Sequence, residues 1–135
     1  MANHAGGCLC GNIRYILKSE PQLTVVCHCT HCQKASGSAF STNVVVPRAD
    51  IEFIGGEMAA YDDSTDSGNV LKRSFCPKCG SSLMSESSGR PGVAVLKVGT
   101  LDDAAWVKPG MQIWTRSAQP WVKFAVEMVS MEKGR

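Results

Sequence analysis

The chain lacks any hydrophobic stretch of membrane-spanning length. Apolar runs such as Val44-Val45-Val46 and Val93-Ala94-Val95-Leu96 are the size of strands. The opening Met1-Ala2-Asn3-His4-Ala5-Gly6-Gly7 has no apolar core of the kind a signal peptide needs, so a cytoplasmic location is expected. A strong charge bias is also missing: 14 Lys and Arg against 12 Asp and Glu leave a net charge of +2. With a pI near 8.2 the composition argues against a nucleic-acid partner, which calls for a clustered basic face and a domain pI above about 9. There are no internal repeats, no linker and no long helical period. At 135 residues with 44% hydrophobic content, the expectation is one domain covering 1–135, mainly β, with short strands and Gly/Pro turns around a real core.

An even cysteine count is lacking as well. The seven cysteines fall in tight groups, Cys8-x-Cys10, Cys27-x-Cys29-x2-Cys32 and Cys76-x2-Cys79. A secreted disulfide framework favours an even number and an export signal, whereas close thiol pairs in a reducing compartment read as metal ligands.

The densest group is Cys27-His28-Cys29-Thr30-His31-Cys32, three thiols and two imidazoles within six residues. Soft thiolates with imidazole nearby select zinc, bound at about 2.3 Å per sulfur. Cys29 and Cys32 can curl around one ion. Leu23-Thr24-Val25-Val26 leads in as a β-branched strand, and strand alternation then puts Cys27 on the same side as Cys29, with His28 turned away. Three protein ligands leave a fourth position open, the mark of a working zinc rather than a closed structural one.

Cys76-Pro77-Lys78-Cys79-Gly80 is a second knuckle, with Gly80 permitting the tight turn that aims backbone N–H groups at sulfur. A knuckle provides two ligands and needs two more. Either Cys29 and Cys32 complete it, stranding Cys8, Cys10 and Cys27, or Cys8 and Cys10 do, leaving Cys27, Cys29 and Cys32 to a second ion. The second division uses every thiol, but spacing leaves both open.

Elsewhere, alternation in Ile13, Tyr15 and Leu17 predicts a strand, as do Ala39 to Val46, Ile51 to Ile54, Val70 to Phe75, Ser82 to Ser85 and Val93 to Val98. Gln33 to Ser38 predicts a helical turn ended by Gly37, and Leu101 to Trp106 a turn of helix capped by Asp. Asp62 to Asn69 reads as an exposed hairpin loop, since it lacks the closing Glu of a calcium loop. The segment 132–135 is expected to fray, and His4 to lie on the surface.

Gly7-Cys8-Leu9-Cys10-Gly11, the Cys27–Cys32 hexad, Gly37-Ser38-Ala39-Phe40, Phe75-Cys76-Pro77-Lys78-Cys79-Gly80 and Gly99-Thr100-Leu101-Asp102-Asp103 together resemble the glutathione-dependent formaldehyde-activating enzyme family, whose domain also occurs in centromere protein V. The resemblance runs in order over nearly the whole chain. It implies the β-tent fold shared with methionine-R-sulfoxide reductases and two Zn²⁺ per chain. Cys8, Cys10, Cys76 and Cys79 would hold a structural zinc, and Cys27, Cys29 and Cys32 a catalytic-type zinc. It further implies a carbon–sulfur lyase that joins formaldehyde to glutathione as S-hydroxymethylglutathione, or acts on a related small thiol or thiol–aldehyde adduct. The rival is a non-catalytic zinc module that binds a protein or nucleic acid. One departure is Gln112, where many members carry His.

Three thiolates on Zn²⁺ give a net negative set of ligands and weaken its Lewis acidity, so holding a thiol nucleophile is the expected role. His31 is the candidate to act just outside the ligands or as a proton shuttle, and a His fourth ligand would close the site. Lys34, Arg48, Lys72, Arg73, Arg90 and Arg116 are candidates for a substrate carboxylate, and Trp114 and Trp121 for pocket walls.

Overall fold

The computed structural model describes residues 3–134. Eleven strands and one α-helix follow in the order β1 (His4–Gly7), β2 (Ile13–Leu17), β3 (Leu23–Cys27), α1 (Thr30–Ser36), β4 (Ser41–Pro47), β5 (Ile51–Gly55), β6 (Ala59–Ser64), β7 (Val70–Phe75), β8 (Ser82–Ser87), β9 (Val93–Lys97), β10 (Met111–Ile113) and β11 (Val129–Ser130). The fold is mainly β, as expected. It forms a three-stranded sheet, β1-β2-β5, and an eight-stranded sheet, β11-β10-β3-β4-β9-β8-β7-β6. Pairing is antiparallel except at one end, where β10 runs parallel to both β3 and β11.

Alternation puts the core between the sheets. Ile13, Tyr15 and Leu17 of β2 are almost fully buried, and Tyr15 and Leu17 pack with Val44 and Val46 of β4, Met84 of β8, and Ala94 and Leu96 of β9. The Tyr15 hydroxyl bonds Thr100 Oγ1 at 2.8 Å, and burial pushes its pKa up to about 12. Gly6 lies against the hydroxyl end of that ring, where a Cβ would come within 2.3 Å of the Thr100 carbonyl oxygen. The eight-stranded sheet therefore spends one face on the core. Its other face carries Val25 and Cys27, Asn43 and Val45, Val95 and Lys97, Ser85, and Leu71 and Arg73, which surround a cavity of about 400 Å³.

Four local expectations are corrected. The acidic tract is not all loop: β6 continues through Asp62, Asp63 and Ser64 in register with Lys72, Leu71 and Val70, and only 65–69 turn the chain. Asp63 is buried there because the Arg73 guanidinium compensates its charge and the His31 ring hydrogen-bonds it. Leu101 to Trp106 forms no helix. A single 3-10 turn at Val98–Thr100 precedes it, and Asp103 Oδ1 accepts from the Ala105 N–H two residues on, a local turn that competes with helix. The segment 132–134 is tied down, with Trp114 N–H donating to Lys133 O and Arg116 N–H to Glu132 O; Arg135 lies outside the described residues. His4 is half-buried rather than superficial, stacked on Trp106 at 4.0 Å.

Candidate metal centres

The seven sulfurs divide four and three. The Sγ atoms of Cys8, Cys10, Cys76 and Cys79 lie within 4.8 Å of one another, and so do those of Cys27, Cys29 and Cys32. The ribbon pairing of Cys29 and Cys32 with Cys76 and Cys79 is thereby excluded. Both sets could hold a metal ion.

The quartet joins the turn after β1 to the turn after β7. Gly80 has φ +78°, and its N–H closes the knuckle on Cys76 O at 2.8 Å. The Ile13 N–H points at Cys8 Sγ at 3.3 Å, and the Leu9 N–H at Ser81 Oγ links the two turns at 3.0 Å. Cys8 and Cys76 are buried against Ile13 and Leu83, while Cys10 is exposed. The geometry can be tested against an ion. Four sulfurs placed tetrahedrally at about 2.3 Å from zinc would be about 3.8 Å apart. Cys8–Cys10 is 3.6 Å and Cys10–Cys76 is 3.8 Å. The quartet fits zinc.

The trio forms where β3 runs into α1. Cys27 is the last residue of β3, and Cys29 keeps extended backbone as the helix N-cap, its sulfur accepting from the Cys32 N–H at 3.2 Å. Cys27 and Cys29 thus share a side, as alternation predicts, and the first helical turn folds Cys32 back onto them. His28 points the opposite way and is buried between Phe40 and Phe124. Its Nε2 bonds Gln112 Oε1 at 2.9 Å, while the Gln112 amide donates to Ser130 Oγ at 3.0 Å. Gln112 therefore works as an anchor for the back of the hexad, and His28 Nδ1 is left buried without a hydrogen-bond partner.

Around the trio the electrostatics are positive. Cys27 and Cys32 open onto the 400 Å³ cavity, whose wall includes Arg73, Arg90, Lys97 and Trp114. A second cavity of about 410 Å³ reaches Cys29 and Cys32 past His31, Asp63, Arg73, Trp114 and Arg116. Three thiols this close do not all ionise by themselves, because like charges repel. Hydrogen bonds from Cys27 and Cys29, with Ser41 and Lys97 nearby, pull Cys32 far down, and hydrogen bonding to Cys29 and Cys32 plus burial pushes Cys27 far up. Three such donors at this separation suit a divalent ion that lets all three lose their protons.

His31 makes no part of that donor set. Its Nδ1 is 2.8 Å from Asp63 Oδ2, and the same carboxylate oxygen accepts from Arg73 Nε at 3.0 Å. Burial would raise Asp63, but the His31 and Arg73 hydrogen bonds outweigh it and hold the carboxyl below the usual range. Of the proposed carboxylate binders, Arg73, Arg90 and Arg116 border the two cavities. Lys72 borders neither, Arg48 faces Phe53 and Ile51 O, and Lys34 lies in a separate hollow beside Trp121. Trp114 is a wall, turned there by left-handed backbone at φ 56°.

Two residues at the site escaped the sequence reading. Asp63 was hidden in a polar tract. Lys97 ends a run whose alternation, Val93, Val95, Lys97 against Ala94 and Leu96, does place it on the face away from the core. Burial holds the Lys97 ammonium below the usual lysine range, and the Cys32 sulfur opposes that shift.

This arrangement defines a class: a mainly β protein with one closed sulfur quartet and one sulfur trio that faces a cavity. A sequence model of the glutathione-dependent formaldehyde-activating enzyme family matches residues 3–117, and the chain belongs to that family. A crystal structure of a Rhodobacter sphaeroides protein, 20% identical, superposes with a TM-score of 0.58 over 78% of this chain and 91% of that one, a likeness of fold. No described helix is long and apolar enough to cross a membrane.

Proposed function

We propose that Cys27, Cys29 and Cys32 would hold a zinc, and that the carbon–sulfur bond of a small thiol–aldehyde adduct is made or broken in the cavity these residues face. The nominal case is glutathione plus formaldehyde giving S-hydroxymethylglutathione. Cys8, Cys10, Cys76 and Cys79 hold a structural zinc in the same reading. The observation that carries it is the incompleteness of the trio: no fourth His, Cys, Asp or Glu among the described residues joins it, and the open side is a cavity of the size ligands occupy. A non-catalytic module would have little use for that opening.

Zinc bound there would keep a thiol sulfur deprotonated near neutral pH. In the joining direction sulfur attacks the aldehyde carbon, the C=O π pair moves to oxygen, and that oxygen takes a proton; the lyase direction is the reverse. His31, oriented through Nδ1 by Asp63, has Nε2 for that proton exchange. Arg90 and Arg116 border the cavities with no acidic partner among the described residues, and serve an anionic thiol's carboxylates.

The test combines metal content with the rate of adduct formation followed by proton NMR, set against the uncatalysed reaction. Two zincs per chain, a rate above background, and loss of one zinc and that rate in a folded Cys29→Ser variant are expected. One zinc per chain and a rate equal to background would overturn the reading.

A further inference from the structure

If the trio holds a divalent ion, its charges do not cancel. Three thiolates and one Zn²⁺ leave a unit negative charge at a largely buried place, and a buried net charge is costly unless it is paired. The Arg73 guanidinium also attracts the Cys32 sulfur, but Asp63 already balances its charge, bound to Nε at 3.0 Å with both side chains only 11% exposed. Of the other cations on the cavity walls, Arg90 and Arg116 stand outside the strands, and the one carried by the sheet itself is Lys97. It is half-buried and shares the cavity wall with Cys27 and Cys32, and no carboxylate among the described residues forms an ion pair with it.

Its position is built, not incidental. Lys97 of β9 is the register partner of Asn43 of β4, which in turn faces Val25 of β3, two residues from Cys27. The Lys97 Nζ donates to Asn43 Oδ1 at 2.8 Å. Asn43 is buried, and its amide nitrogen donates to Ser41 Oγ at 3.0 Å and Val25 O at 3.4 Å, which fixes the oxygen toward the ammonium. One hydrogen bond leaves the ammonium two more protons to donate.

We infer that Lys97, held by Asn43, is the counter-charge of the Cys27/Cys29/Cys32 metal centre, a positioning residue that sets how tightly this site keeps its ion. The inference rests on the proposal that the trio binds metal. It assigns to Lys97 a role toward the site rather than toward the substrate. Groups that hold metal ligands from outside in this way typically govern affinity by about 10- to 100-fold.

The test is competition for zinc between the full chain and a chromophoric chelator at constant pH. Wild type should release two classes of zinc, the weaker absent from Cys29→Ser. Lys97→Met should raise the Kd of the weaker class by about 10- to 100-fold and leave the tighter class and the unfolding temperature near wild type. Lys97→Arg, which keeps the charge, should restore most of the affinity. Lys97→Gln keeps a donor for Asn43 without the charge and serves if Lys97→Met fails to fold; it should behave like Lys97→Met. A weaker class of unchanged Kd in the neutral variants overturns the role of Lys97 while the trio's metal stands. A single class in wild type, indifferent to Cys29→Ser, overturns the metal reading itself.

Discussion

Replacing Asp63 with Asn isolates the ion pair that braces the mouth of the trio. The substitution keeps shape and removes charge. One amide oxygen must then serve both the Arg73 Nε–H and the His31 ring, which in the native protein share a carboxylate at 3.0 and 2.8 Å. The Arg73 and Asp63 side chains are each 11% exposed, so the buried-pair scale applies, and breaking such a pair costs about 3–5 kcal/mol. The His31 side chain is 55% exposed, and its share is under about 1 kcal/mol. The guanidinium keeps the attraction of the Cys32 sulfur, which places the expectation at the low end, about 3 kcal/mol. With an unfolding entropy of about 2.1 cal/mol/K per residue over 135 residues, that is a fall in Tm of about 10 °C. The pH dependence has a definite sign. Asp63 is held below its ordinary range when folded, so its contribution is fully present above the unfolded value of about 3.9 and is lost as pH falls through the folded one. Thermal unfolding of zinc-loaded wild type and Asp63→Asn should show a gap that is flat from pH 7 to about 5 and narrows below about 4. The difference between the two proteins cancels the shared loss of metal in acid. A gap under about 0.5 kcal/mol at neutral pH, or one that widens in acid, would refute the assignment.

Cys76→Ser should unfold the chain or leave it unable to accumulate, since structural zinc contributes on the order of 10 kcal/mol, whereas Cys29→Ser should retain the far-UV spectrum and cooperative unfolding. Equal loss of fold in both would erase the distinction between the centres. Gly6→Ala should cost at least about 2 kcal/mol by chemical denaturation, because the atom a Cβ would meet at 2.3 Å is a backbone oxygen with nowhere to move. Tyr15→Phe should cost about 1 kcal/mol by the same measurement, the hydroxyl losing a single neutral hydrogen bond to a Thr100 that keeps its bond to Lys97 O.

Local chemistry was readable in the linear chain wherever neighbours in sequence are neighbours in space. Strand alternation and a two-residue gap bring Cys27, Cys29 and Cys32 together without help from the rest of the molecule. The same rule turned His28 away from the sulfurs, and Gly37 ended the helix with left-handed backbone, φ 63°. Period-two patterning located β2 and β9. The polar tract misled because composition was weighed there instead of partners: Asp63 belongs to a strand for a reason stated only across the sheet, in Arg73 and His31.

What folding alone decided is how the distant pieces meet. Spacing permitted Cys76 and Cys79 to join either remaining pair. The choice of Cys8 and Cys10 came when the sheets packed on Tyr15 and Leu83, bringing the turns after β1 and β7 side by side. Alternation showed that Lys97 and Val95 share a face but not that Asn43, Arg73 and the sulfurs lie on that same face, since register between strands is set by pairing across the whole sheet. Ligand identity is a property of side-chain chemistry and is written in the chain. The charge that surrounds a ligand is a sum over residues brought together only in three dimensions, because Coulomb interactions depend on distance and burial rather than on position along the backbone.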